Sequence, residues 1–134
     1  MGVSTNAILF YGFLIEEDSD NQEVITMEDG GGTDRDNFWA RKFNLPENDW
    51  ETIYEHQGEY PVRIGTHCSG DYPMYYIAIR ASEIVANRGY PEELKAEDLV
   101  KKLEWDNQLR EFCKIYGLTP PEKFGWCLAS YWSS

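Results

Sequence analysis

Apolar positions recur along the chain in different rhythms, and each rhythm predicts a different element. Ala7-Ile8-Leu9-Phe10-Tyr11-Gly12-Phe13-Leu14-Ile15 is an unbroken apolar run. It is too short for a stable helix and rich in strand formers, so it predicts a central strand buried on both faces. Gly12 within it marks a bulge or a close backbone approach. Pro61 to Thr66 and the clearer Tyr75-Tyr76-Ile77-Ala78-Ile79-Arg80 predict two strands joined as a hairpin across Cys68 to Pro73. Ser82 to Ala86 prolongs the second strand past a bend, and Arg88-Gly89-Tyr90-Pro91 is a turn.

Trp105, Leu109, Phe112, Cys113 and Tyr116 fall at i, i+4, i+7, i+8 and i+11. That spacing is one continuous face of an amphipathic helix. Asp106 caps it if it starts late, or Lys95 to Leu103 forms an earlier helical turn or two; Gly117 ends it and Pro120-Pro121 prevents continuation. From Gly125 to Ser133 the period becomes two, with Trp126, Leu128, Ser130 and Trp132 on one face and Cys127, Ala129 and Tyr131 on the other, which predicts a terminal strand.

The intervening segments are polar. Glu16 to Asp29 is broken only by Val24-Ile25-Thr26-Met27, read as a short return strand whose edge can support a homodimer, and Gly30-Gly31-Gly32 is a joint. Residues 16–36 are therefore expected to form an acidic flexible loop region. Thr33 as N-cap with Asp36 three residues on opens a short helix through Phe38, Trp39 and Phe43. Asn48-Asp49 caps a second, Trp50 to Gln57, that Gly58 ends. The expected architecture is a single α+β domain over 1–134, a mostly antiparallel sheet with short helices and one longer amphipathic helix packed on one face.

Composition bounds the function. At 134 residues, with nine Tyr, five Trp and six Phe, the chain can bury one core without staples. The longest apolar run is too short to span a membrane, and Met1 to Asn6 carries no basic residue, so neither a membrane span nor a secretory signal is expected. Cys68, Cys113 and Cys127, odd in number and widely spaced, fit reduced thiols in a cytoplasm.

Charge changes the picture most. The chain carries a net −12. Residues 16–59 hold fourteen acids against Arg35, Arg41 and Lys42, a net −11. Such a field opposes direct contact with nucleic acid or an anionic membrane and attracts a basic partner. The candidate binding residues are Glu16, Glu17, Asp18, Asp20, Glu28, Asp29, Asp34 and Asp36, with Trp39, Trp50 and Tyr54 as aromatic anchors among the acids. The plain alternative is a solvated acidic face that keeps the protein soluble, with the aromatics in the core.

Candidate chemistry is thinner. Thr66-His67-Cys68-Ser69-Gly70-Asp71-Tyr72 places a base, a thiol and a carboxylate within one loop. Adjacent His67 and Cys68 in a strand point to opposite faces and do not readily act together. His67 with Asp71 can form an oriented base, whereas Ser69-Gly70-Asp71 is also ordinary turn chemistry. His56 before Gly58 reads as a surface side chain near a helix C-terminus. No metal-ligand spacing is present, Asp18-Ser19-Asp20-Asn21 and Asp34-Arg35-Asp36 lack the glycine and glutamate of a calcium loop, and Gly30-Gly31-Gly32 has no phosphate-binding continuation. No cofactor is expected.

Three segments, Asn6 to Gly12, His67 to Tyr75 and Gly125 to Trp132, resemble small uncharacterised proteins encoded by phages and prophages. The resemblance implies phage origin and a host cytoplasm but brings no catalytic residue. The expectation is a non-enzymatic binding or inhibitor protein, monomer or homodimer, whose carboxylates dock on a basic host protein where phosphates would lie. The other expectation is a small enzyme or ligand-binding domain using His67, Cys68 and Asp71.

Overall fold

The computed structural model describes residues 4–17, 19–27, 35–67 and 74–133. Strand β1 (Ser4–Leu14) runs through the middle of a five-stranded antiparallel sheet. Along one edge it pairs with β5 (Gly125–Ser133) in an unbroken register from Ser4 opposite Ser133 to Gly12 opposite Gly125. Its other edge is shared. Gly12 to Leu14 pair with β3 (Met74–Ile79), and Ala7 to Leu9 pair with β4 (Ile84–Ala86). β2 (Val62–His67) lies outside β3, with Val62 opposite Ile79 and His67 opposite Met74. The outer strands β2 and β5 also come into contact, so the sheet curls strongly rather than lying open.

Between β3 and β4 a 3₁₀ turn at Arg80–Ser82 interrupts the ladder, so Ser82 to Ala86 is a separate strand beyond a bend. The gap would leave a backbone donor of β1 unmet. Buried Ser82 fills it: its hydroxyl accepts from the amide of Tyr11 at 2.8 Å and donates to the carbonyl of Ile79 at 2.6 Å.

Four helices are described: α1 (Asp20–Met27), α2 (Arg35–Lys42), α3 (Trp50–Glu59) and α4 (Leu103–Tyr116). All four feed one core cluster with the sheet face that carries Tyr11, Phe13, Val62, Ile77 and Ile79. The α4 stripe is the predicted one, since Trp105, Leu109, Phe112, Cys113 and Tyr116 are all buried. Gly117, at φ 81°, ends the helix in the left-handed conformation that glycine adopts most easily. Asp106 lies within the first turn rather than at the cap, which is Lys102, and the earlier turn is 3₁₀ at Ala96–Leu99.

The second sheet face buries Ile8, Phe10, Tyr76 and Ala78, and its described members come from strands alone. Small residues let rings lie close to the sheet there. A Cβ on Gly65 would fall 2.1 Å from the Tyr76 ring, which stacks on Phe10 at 4.3 Å between centroids. Gly12 marks the close approach its position predicts, since a Cβ there would sit 1.9 Å from the carbonyl oxygen of Ile77.

Two expectations are corrected. Val24 to Met27 is the end of α1, not a return strand, so an edge-strand dimer there has no strand to rest on. Ser19 starts the helix by accepting from the Gln22 amide at 3.2 Å, and Asp20 and Glu23 complement the dipole in its first turn. The Asn21 amide group then exchanges two hydrogen bonds with the Thr119 backbone, at 2.8 and 2.7 Å. Gly58 does not end α3 either. The helix runs on to Glu59 and stops where Tyr60 turns extended ahead of Pro61, a residue that disfavours helical geometry before it. The expected cap Thr33 lies outside the described residues.

Candidate functional site

Helix α3 gathers the features that the sequence scattered through its acidic third. Asp49 caps it, accepting from the Thr52 amide at 3.3 Å and from the Thr52 hydroxyl at 2.9 Å, and buried Ile53 fixes its inner face. Glu51, Glu55 and Glu59 then fall at i, i+4 and i+8, one exposed row. Beside it Trp50, 40% exposed, stacks on Tyr54, 55% exposed, with centroids 6.3 Å apart. Glu51 in the first turn suits the helix dipole, but like charges four apart weaken a helix by about 0.2–0.5 kcal/mol per pair, so Glu55 and Glu59 add nothing to it.

The other predicted binding residues divide clearly. Glu16 and Glu17 follow β1 and Asp20 opens α1, all exposed. Asp18, Glu28, Asp29 and Asp34 lie outside the described residues, and of Asp36 only the backbone, in α2, is described. Every described side-chain carboxylate between 16 and 59 is exposed, and among the described residues Glu47 alone of them is ion-paired, with Arg41 at 3.1 Å. Trp39 departs from the expectation of an anchor. It is 5% exposed and packs among Phe43, Tyr60, Phe112 and Tyr116.

His67 ends β2 opposite Met74, while Cys68 and Asp71 lie outside the described residues, as does the loop chemistry expected of them. The described thiols are both hard to ionise. Burial pushes Cys113 up to about 11 and raises Cys127 as well. Among the described residues no three His, Cys, Asp or Glu side chains cluster as a metal site would require. His56 is not the surface side chain expected of it: it is half-buried against Trp39 and Phe43, and its Nε2 has no hydrogen-bond partner among the described residues.

Beside the exposed row, Tyr54, Gln57 and Gly58 of α3 form one wall of a pocket of about 370 Å³. Its other walls include Trp39, Arg63 and Arg80. Arg63 reaches Glu83 at 2.7 Å and the Tyr76 hydroxyl at 2.7 Å. Arg80 donates instead to backbone carbonyls at the end of α3, to Gln57 at 2.5 Å and Tyr60 at 3.2 Å. No local pattern marks this pocket in the sequence, because α2, α3, β2, the turn after β3 and α4, through Tyr116, each supply a part. The one hint is Arg80, a lone cation closing an apolar strand.

Comparison with protein-family models, curated proteins and solved structures finds no significant match. The site therefore has to be read from its own geometry.

Proposed function

We propose that the protein is a non-enzymatic binding protein that docks on a basic surface of another protein, with α3 at the centre of the contact. The observation that carries this is the stacked pair Trp50 and Tyr54, exposed beside the row of Glu51, Glu55 and Glu59. Aromatic anchors supply most of the energy of an interface, and a surrounding field of one sign selects and steers the partner. The ring pair returns only the few tenths of a kcal/mol of an i, i+4 contact, about 0.2–0.5, for an exposure that costs solubility, and Glu55 and Glu59 extend a like-charged row that weakens the helix. A nucleic-acid-binding protein suits this surface best, since carboxylates at helical spacing can stand where phosphates would. A bacterial host is the source we propose for that partner.

The test is capture from bacterial lysate at low and high salt by the immobilised protein, by E51Q/E55Q/E59Q and by W50A/Y54A. The expected result is a basic protein held at low salt, released as salt shortens the screening length, and lost in both variants while their thermal melts stay cooperative. Retention of the same protein by both variants would sink the reading, as would the lack of any salt-sensitive partner.

A further inference from the structure

The pocket behind Tyr54 runs against the electrostatic character of the rest of the molecule. In a chain of net −12, both charged residues of its lining, Arg63 and Arg80, are positive. Arg63 is matched by Glu83. Arg80 meets no carboxylate among the described residues, and its two hydrogen bonds to carbonyls use Nε and one Nη nitrogen of a group with five N–H donors. Those bonds hold the guanidinium in place, so its remaining donors are oriented in advance rather than ordered on binding. Trp39 supplies a flat wall, and its indole Nε1 is buried with no acceptor among the described residues. The pocket is within the size range of small-molecule sites, and Gly58 at its rim leaves open space where a Cβ would stand.

We propose that this pocket binds a small organic anion, a carboxylate or phosphate carried on a flat apolar body, with Arg80 meeting the charge and Trp39 and Tyr54 flanking the body. A guanidinium suits either head group because its planar fork matches both geometries. The cap that Arg80 places on α3 explains why it is rigid and sets its charge against the negative end of the helix, but it supplies no carboxylate. The proposal shares Tyr54 with docking by α3 but rests on Arg80 and Trp39, which that docking does not use, so substitutions at Gly58 and Arg80 test it separately.

Calorimetric titration of the protein with phenyl phosphate, benzoate and neutral benzyl alcohol tests it, with the Trp39 indole N–H followed by NMR and assigned through Trp39→Phe. At least one anion should bind about tenfold or more tighter than the alcohol and shift the Trp39 resonance. Whichever anion wins identifies the head group. Gly58→Leu, which fills the rim without removing a contact, should weaken that binding about tenfold while the helix gains stability. Arg80→Met should abolish the preference for charge; if it unfolds, Gly58→Leu decides alone. The proposal is overturned by no saturable binding of either anion, by equal binding of the alcohol, or by Gly58→Leu binding like the parent.

Discussion

The Ser82 hydroxyl accepts the amide of Tyr11 at 2.8 Å, at the one point where β1 passes from one neighbouring strand to another. A side chain here does the work of a backbone carbonyl. Ser82→Ala leaves that buried amide without an acceptor, which costs about 1–3 kcal/mol. Urea denaturation should show the loss as a lower midpoint at unchanged slope.

Gly12 and Gly65 should tolerate a methyl group unequally. At Gly12 the added carbon meets the Ile77 carbonyl, which is backbone held in the ladder, whereas at Gly65 it meets the outer end of the Tyr76 ring, a side chain that can shift at the expense of its hydroxyl bond with Arg63. Gly65→Ala is expected to cost about 1–3 kcal/mol and Gly12→Ala more, enough to prevent folding. Equal melting temperatures for the two variants would contradict this.

Asp106 bonds Lys101 at 2.8 Å and the Tyr11 hydroxyl at 2.7 Å, joining α4 to the central strand. The Lys101 bond first, then that of Tyr11, holds the carboxyl below its ordinary 3.8. A lowered folded-state value means the stabilisation is present above pH about 4 and is lost as pH falls through the folded value. Tyr11 shifts the other way: burial, and then Asp106, raise it, so its contribution is present below its ordinary 10.0 and lost at higher pH. Asp106→Asn should therefore flatten the acid limb of the stability profile below pH about 4, as read by thermal melts across pH.

Lys102 stands at the N-cap of α4 without a side-chain bond to the helix. Lys102→Ser supplies the missing acceptor and should stabilise the protein by about 1 kcal/mol, visible as a raised melting temperature.

Cys113, fully inside the α4 stripe with its thiol raised to about 11, should resist labelling at pH 8 until the protein unfolds. In a Cys68→Ser background, mass spectrometry of labelled peptides should show Cys127 modified before Cys113.

How much of this was legible in the sequence follows from where each decision is made. The α4 stripe and the alternation of β5 were readable because periodicity over a long window needs no knowledge of neighbours. Val24 to Met27 was not, since four such residues, three apolar and Thr26, suit a strand or a helix turn equally; the Ser19 cap and the distant contact of Asn21 with Thr119 settle it. The glutamate row of α3 was visible as charge but not as a row until Gly58 proved to lie within the helix. Trp39 shared its acidic surroundings with Trp50 and Tyr54, and only the packing of Phe112 and Tyr116 from α4 separates core ring from surface ring. The pocket was invisible, because its parts meet only in three dimensions.

The pairing of β1 with β5 also sets the order of events at the ribosome. β1 must leave one whole edge open until β5, much later in the chain, is made, while β3 and β4 can already occupy the other. A half-synthesised chain therefore displays a long apolar strand edge, and exchange of β5 between two molecules is the misassembly to which crowded expression should expose it.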